Sequence, residues 1–309
     1  MRFSRLIPRN RKAGISNKFC NDTVTTGKTF YKVSKICPRS RRRGVRLVVL
    51  KSFFDGGNQA DSRAYDVVSL AVVSGTKDEW KPFERDWRRV LDKHGADYLH
   101  TTDAVSRKGI YKGWKIDQAD SFLRDCVRVA CKHCARATIG DIPGKFALFP
   151  FVVSIVLKDF VERAKLESLA SKNANEACLR QALGEVLLWS ENQAACAQCQ
   201  LFFDQGEPFY GHLCQLLQNK VAVKTAFLLS KITHRSESDM RSEPALQLAD
   251  LYAWCQCNRN SEWNPVWKQK LLRSHFRWQW IDNSNIHDVN QDHQTEWLRW
   301  ELPKRAATK

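Results

Sequence analysis

The sequence predicts an α/β protein in which a mixed sheet is flanked by helices, and three observations lead to this prediction. Short runs rich in β-branched and aromatic residues alternate with longer stretches of helical apolar spacing. The first two strand-like runs are joined by a short connection, which favours antiparallel pairing. The later strand-like runs are separated by helical stretches. We therefore expect a hairpin followed by alternating helices and strands.

The individual elements follow from apolar period and from turn residues. Strands are predicted at 45–54, 65–74, 98–101, within 137–157, at 198–203 and at 226–232. Helices are predicted at 78–93, 117–132, 158–170, 174–192, 209–218 and from 244 onward. No internal repeat is evident.

Charge and tryptophan content divide the 309-residue chain into three parts. Residues 1–45 are a basic arm with few apolar positions, which predicts flexibility. Residues 46–260 hold the predicted strands and helices, and residues 261–309 form a Trp-rich tail. We expect the tail to be helical and to pack its tryptophans on the domain, although aromatics among basic residues also suit stacking on single-stranded bases.

The arm carries most of the net charge of +17, since residues 1–46 hold 14 Lys or Arg against the single acid Asp22. The run Arg39, Arg41, Arg42 and Arg43 is typical of segments that bind phosphate backbones without recognising base sequence. Two alternatives remain open: an acid-poor targeting presequence, and upstream sequence included by a wrongly chosen start codon.

No apolar signal segment follows the first arginines, and the most apolar run, 146–157, is too short to span a membrane. The expected setting is the cytoplasm, where the 11 cysteines would be reduced thiols. Two pairs, Cys131 with Cys134 and Cys196 with Cys199, have the spacing of zinc ligands. A structural zinc site is one interpretation, and buried cysteines acting as small apolar residues are the other.

Residues 243–254, Glu-Pro-Ala-Leu-Gln-Leu-Ala-Asp-Leu-Tyr-Ala-Trp, predict a helix that is apolar nearly all round and yet contains Asp250. Such a helix is normally buried, so Asp250 is expected at or near the interior. A buried carboxylate is costly unless it is paired or hydrogen-bonded. Its partner is either an arginine or backbone N–H group, or a metal ion.

Two further acids, Asp55 and Asp204, each end an apolar strand-like run. Ligands of open α/β sheets gather at the carboxyl ends of strands, so these acids converge if their strands are parallel neighbours. Three clustered carboxylates repel one another unless divalent cations neutralise them, and oxygen-only ligation suits Mg²⁺ or Mn²⁺. Asp55, Asp204 and Asp250, hereafter the acid trio, are therefore the predicted catalytic and metal-binding residues.

Residues from about 46 to 258 resemble the bacterial and phage domain of unknown function 3800 family. The matching positions are Phe54-Asp55 and Gln247-Leu-Ala-Asp250, with Phe203-Asp204 at the intermediate acidic strand end. The resemblance implies an RNase H-like fold and a nuclease-like site. One position departs from the family, because Gly56 stands where a glutamate usually follows the first aspartate.

Glu207 or Glu243 could replace that glutamate, and His100 and Gln247 are candidate supporting residues. Gln247 lies one helical turn before Asp250, from where it could orient the carboxylate or a metal-bound water. The leading expectation is an RNase H-like, Mg²⁺- or Mn²⁺-dependent nuclease of a bacterium or mobile element. The alternatives are a nucleic-acid-binding protein without activity and a zinc-stabilised interaction protein.

Overall fold

The computed structural model describes residues 48–57, 67–134, 147–166, 173–193, 197–218, 229–273 and 277–281. The predicted arm at 1–45, including Arg39, Arg41, Arg42 and Arg43, lies outside these residues, as does the tail beyond 281. The strands are β1 Val49–Gly57, β2 Val67–Thr76, β3 Phe149–Val156, β4 Gln198–Asp204, β5 Ile232–Ser238 and β6 Arg277–Ile281.

Eight helices accompany these strands in the described part of the chain. They are α1 Lys77–His94, α2 Thr101–Ser106, α3 Ile116–His133, α4 Leu157–Leu166, α5 Ala174–Gln193, α6 Pro208–Gln218, α7 Pro244–Cys257 and α8 Val266–Arg273. None of them combines the length and apolar character that a membrane span requires.

The described strands form one mixed sheet in the order β5-β4-β1-β2-β3-β6. β1 pairs in parallel with β4, and β4 pairs in parallel with β5. β2 is antiparallel to both of its neighbours, β1 and β3, and β6 joins β3 in parallel. The predicted hairpin and the predicted mixed sheet with flanking helices are thus confirmed.

Each face of the sheet carries its own core. One core contains Phe54 of β1 and Phe203 of β4 together with residues of α5 and α6. The other contains Phe53 of β1 together with residues of α1, α3, α7 and α8. Since successive side chains of a strand point to opposite faces, this alternation fixes which strand residues meet α7.

Three predicted elements differ from the structure. The segment predicted as a strand at 98–101 is not one, because α2 begins at Thr101. The strand predicted at 226–232 instead spans Ile232–Ser238, and 226–228 lie outside the described residues. In the tail, α8 is helical, but Arg277–Ile281 forms β6, consistent with its alternating sequence Arg-Trp-Gln-Trp-Ile.

Helices α1 and α3 carry the same pattern, Asp-x-x-Arg-Val-x-x-Lys-His, at 86–94 and 125–133, a short repeat that the sequence interpretation missed. The two copies pack antiparallel and bond reciprocally. Asp86 accepts hydrogen bonds from Lys132 and His133, at 2.6 and 2.8 Å. Asp125 accepts from Lys93 and His94, at 2.6 and 3.0 Å.

These contacts act on both carboxyl groups. The hydrogen bonds from Lys132 and His133 hold the pKa of Asp86 well below its usual range. Burial alone would raise the pKa of Asp125, but hydrogen bonds from His94 and Lys93 outweigh burial and lower it to about 2. Both carboxylates are therefore ionised at neutral pH and stabilise the helix pair.

We expect Asp125→Asn to lower the free energy of unfolding at pH 7 by about 1 kcal/mol, because its partner Lys93 is largely exposed and screened. A carboxyl group whose pKa is lower in the folded than in the unfolded protein stabilises the fold at pH values above its unfolded pKa. This contribution is lost as the pH falls through the folded pKa. The difference between variant and wild type should therefore close between pH 4 and about pH 2. Urea denaturation across this range measures it. Asp78→Asn is the control, since its side chain is 90 % exposed; equal losses in the two variants would contradict the expectation.

Candidate active site

Asp55 and Asp204 lie side by side at the carboxyl ends of two neighbouring parallel strands. In the register of β1 and β4, Phe54 is opposite Phe203, so the aspartates that follow are also neighbours. Strands in a sheet are about 4.8 Å apart. Because Phe54 and Phe203 face the α5 side, alternation puts both aspartates on the α7 side.

Asp250 comes to the same place from α7, which packs across β1, β2 and β3. It is buried as predicted, with 6 % of its surface exposed. Its Oδ2 accepts a hydrogen bond from the backbone N–H of Thr101 at 2.6 Å. Thr101 is the first residue of α2, so this helix start presents a backbone donor to Asp250.

Asp55 is the member of the trio whose negative charge is least compensated by its surroundings. It is only 2 % exposed, and its Oδ2 has no hydrogen-bond partner among the described residues. Burial raises its pKa well above the usual range, and the negative charges of Asp250, Glu207 and Asp204 raise it further. These influences show that the four acids share one electrostatic environment.

Hydrogen bonds offset part of the cost of burying the other two carboxylates, Asp204 and Asp250. Burial raises the pKa of Asp204, against hydrogen bonds from the backbone N–H groups of Met240 and Gln205. The Met240 bond to Oδ1 measures 3.1 Å. Burial likewise raises the pKa of Asp250, against the positive charge of His100 and the hydrogen bonds of Thr101.

His100 stands beside the trio as half of a His–Asp pair. Its Nδ1 is 2.9 Å from Oδ2 of Asp103, one turn along α2. Partial burial lowers its pKa, but the negative charges of Asp250, Asp103 and Asp204 outweigh burial, and the pKa is raised. The imidazole is thus biased toward the protonated form next to the acids.

Of the two glutamates that could replace the missing one at position 56, Glu207 is the one whose charge acts on Asp55. Its negative charge raises the Asp55 pKa. Glu243 lies at the N-cap of α7, where burial raises its pKa, Glu84 raises it further, and Lys51 and Arg88 oppose the shift. None of the acid trio is among these influences.

Gln247 is fully buried and holds three segments together. Its Oε1 accepts from Trp87 Nε1 at 2.8 Å and from the Leu99 backbone N–H at 2.9 Å. Its Nε2 donates to the Met240 carbonyl at 2.9 Å. Leu99 is two residues before Thr101, and Met240 is the donor to Asp204. Gln247 thus fixes the backbone that serves the trio, without a bond of its own to Asp250.

The donor chemistry of the trio fits a hard divalent cation. The trio offers only carboxylate oxygens, and the buried Oδ2 of Asp55 has no hydrogen-bond partner among the described residues. In the described part of the chain, no three His, Cys, Asp or Glu side chains already stand close enough together to hold one ion. The acid trio is therefore not a preassembled ion site.

Cys134 and Cys199, one cysteine from each predicted zinc-binding pair, are not brought together. Cys134 bridges to Leu148 just before β3, whereas Cys199 lies on β4, with β1 and β2 between them in the sheet. Three strand intervals amount to roughly 14 Å, too far for shared zinc ligation. Burial raises the pKa of Cys134 to about 12, so it is a thiol at neutral pH. Cys131 is partly buried against the core on the α7 side of the sheet. Cys196 lies outside the described residues.

The site also uses residues that the sequence interpretation did not select. Thr101 and Met240 serve Asp250 and Asp204 through backbone N–H groups, which leave no mark on residue type. Tyr111 braces the same segment, since its hydroxyl donates to the Tyr98 carbonyl and accepts from the His100 backbone N–H. The only signal in the sequence was the polar stretch His-Thr-Thr-Asp at 100–103.

Comparison with known proteins adds no assignment. A scan against protein-family models finds no match, and a search of curated proteins finds no similar sequence.

We expect Gln247→Leu to lower the free energy of unfolding by at least about 2 kcal/mol, because Trp87, Leu99 and Met240 would each lose a buried partner. Urea denaturation at pH 7 measures the loss. The control is Gln269→Leu. The Gln269 side-chain amide donates an exposed hydrogen bond to the Asn264 carbonyl, so the stability of this variant should stay within about 0.5 kcal/mol of wild type. Equal effects of the two substitutions would contradict the role of Gln247.

Removing the charge at position 55 should stabilise the metal-free protein. A carboxyl group with a raised folded pKa destabilises the fold above its ordinary pKa, and the penalty fades as pH falls through the raised value. In chelator, Asp55→Asn is expected to gain about 1–2 kcal/mol at pH 8, with a smaller gain in acid. Thermal unfolding from pH 8 to pH 5 tests this, and Asp97→Asn, at an exposed position, should show no such trend.

Proposed function

We propose that the protein is an RNase H-like, metal-dependent nuclease or phosphodiesterase in which the acid trio holds Mg²⁺ or Mn²⁺. One observation carries the proposal: acids from two adjacent parallel strand ends and from a buried helix act on one another electrostatically, and the most buried of them, Asp55, has an oxygen without a hydrogen-bond partner in the part of the chain that the structure describes. Clustered carboxylates whose pKa values are raised by burial and by one another are typical of functional sites.

The architecture supports the RNase H-like part of the proposal. β1 lies inside the mixed sheet, with the antiparallel β2 on one side and the parallel β4 on the other. The acids are at the carboxyl ends of β1 and β4, where open α/β sheets bind their ligands. This arrangement is compatible with the fold that the Phe54-Asp55 and Gln247-Leu-Ala-Asp250 resemblance implies.

The chemistry follows from the charges. Bound divalent cations would prepare a water for attack on the phosphodiester and stabilise the departing oxygen. Asp55, Asp204 and Asp250 would hold the cations, and the backbone N–H groups of Met240 and Thr101 keep two of these carboxylates in place. Asp103 occupies Nδ1 of His100, so Nε2 is the ring nitrogen left to exchange a proton with the substrate.

Nucleic acid is the proposed substrate. The basic residues 1–46, including Arg39, Arg41, Arg42 and Arg43, support this choice, because such segments bind phosphate backbones through counterion release. The strength of binding should accordingly fall steeply with rising salt.

The test is cleavage of labelled single- and double-stranded DNA and RNA by the full chain in Mg²⁺, in Mn²⁺ and in chelator. We expect metal-dependent cleavage, and a loss of roughly 100-fold or more in Asp250→Asn, because a ligand and its charge are removed while the shape is kept. Asp97→Asn, at an exposed position three residues before His100 in the sequence, should retain full activity.

Two outcomes would contradict the proposal. Undiminished metal-stimulated cleavage in Asp250→Asn would remove the trio from the chemistry. Salt-sensitive nucleic-acid binding with no cleavage in either metal would favour a binding protein without nuclease activity.

A further inference from the structure

A cavity lies where the end of α2, the first turns of α3 and the segment after α7 come together. Its volume is about 290 Å³, and its lining includes Val105, Arg107, Ile116, Asp120 and Trp263. Ligand pockets of proteins begin near about 300 Å³. The cavity therefore has room for one small planar group rather than for a larger molecule.

Trp263 is an exposed ring on a firmly held segment. Its surface is 46 % exposed, although its ring centroid lies 5.8 Å from those of Trp254 and Trp267. The fully buried Lys268 holds the segment 258–263, because its Nζ donates to three oxygen atoms there at 2.6 to 3.0 Å. Three acceptors match the three N–H groups of an ammonium, which compensates its burial. The cavity thus contains an aromatic ring that is already in position to stack on a ligand.

The charges in and next to the cavity differ in sign. The segment that follows α2 has four exposed basic residues and no acid, namely Arg107, Lys108, Lys112 and Lys115. Of these, Arg107 lines the cavity. Asp120, in contrast, puts a carboxylate in the lining, where its Oδ1 accepts a hydrogen bond from Trp267 at 3.2 Å. A carboxylate disfavours a phosphate inside the cavity but accepts hydrogen bonds from the amino groups of bases. The phosphates of such a ligand would bind to the basic segment.

Helix α2 connects the cavity to the acid trio. Its first residue, Thr101, donates a backbone hydrogen bond to Asp250 at 2.6 Å, and Val105, one turn later, lines the cavity. With a rise of about 1.5 Å per residue, the cavity lies on the order of 10 Å from Asp250. A stacked nucleic-acid strand advances about 3.4 Å per nucleotide, so roughly three nucleotides span this distance.

We propose that the cavity is a nucleobase subsite for an unpaired strand, in which one base stacks on Trp263 while Arg107 and the lysines after it bind the flanking phosphates. The inference rests on the proposed function and names the form of its substrate. A base can enter the cavity only if it has left the stack of a duplex, which selects single-stranded DNA or RNA.

The test is binding of fluorescent oligonucleotides by the full chain in chelator, measured by fluorescence anisotropy. A single strand is compared with a strand of equal length and charge in which every base is absent. Phosphate contacts, including those of the basic residues 1–46, are the same for both strands, so the difference reports base contacts alone. Trp263→Ala is expected to reduce the preference of wild type for the base-bearing strand by about 10-fold and to leave the affinity for the abasic strand unchanged.

Further variants separate stacking from charge and from folding. Trp263→Phe keeps a ring and should retain most of the preference. Arg107→Gln should weaken binding of both strands alike and reduce the dependence of log affinity on log salt by about 1. The controls are Val266→Ala and Lys81→Gln, at exposed positions on α8 and α1, which should bind within about twofold of wild type. Circular dichroism identifies any variant that fails to fold, and Trp263→Phe and Arg107→Gln test the proposal if Trp263→Ala does.

Three results would overturn the subsite. They are equal binding of both strands by wild type, which would mean that no base occupies the cavity; an undiminished preference in Trp263→Ala; and competition by a free nucleoside monophosphate as strong as that of the strand, which would assign the cavity to a small nucleotide. The proposed function fails separately. A base preference that depends on Trp263, without cleavage in Mg²⁺ or Mn²⁺, would support the subsite and contradict the nuclease. Cleavage without such a preference would do the reverse.

Discussion

The cost of burying like charges at the junction of the sheet and α7 is the constraint on which the site depends. Asp55 and Asp250 are almost fully buried, and each isolated carboxylate in such surroundings costs several kcal/mol, roughly, after relaxation. Backbone N–H groups offset part of this for Asp250 and Asp204. Asp55 has the least compensation, because Oδ2 finds no partner among the described residues. The fold thus tolerates a destabilised position where a ligand would compensate it.

The surrounding structure holds in place the backbone N–H groups of Thr101 and Met240, which donate hydrogen bonds to Asp250 and Asp204. Gln247 ties the Leu99 backbone and the Met240 carbonyl to α7, and Trp87 of α1 supplies its second accepted bond. The hydrogen bonds of Asp86 with Lys132 and of Asp125 with Lys93 hold α1, which carries Trp87, against α3. Satisfied polar contacts therefore support the structure from the α1–α3 helix pair to the hydrogen bonds that serve the acids. Such networks specify one arrangement because an incomplete network is costly.

The sequence predicted the site best where a residue's role follows from the apolar pattern of its helix or from its place at the end of a strand. The apolar runs at 45–54 and 198–203 were enough to predict strand-end aspartates, and the apolar surroundings of Asp250 were enough to predict its burial. The helix α2 was not predicted, because Tyr98–Thr101 resembles a short strand while Tyr111 and Asp250 hold it through backbone atoms. Strand β5, Ile232–Ser238, was predicted too early in the chain, at 226–232, because it is mostly polar and exposed and so lacks the apolar signal of a buried strand.

Position 56 shows how far a linear pattern determines the composition of a site. Asp55 faces α7, and strand alternation turns position 56 to the opposite face of the sheet, where its partner Leu70 on β2 and Phe209 belong to the other core. A side chain at position 56 would therefore meet Phe209 and Glu207 rather than the acid trio. A glycine after Asp55 is thus no evidence by itself that a ligand has been lost on the α7 side of the sheet.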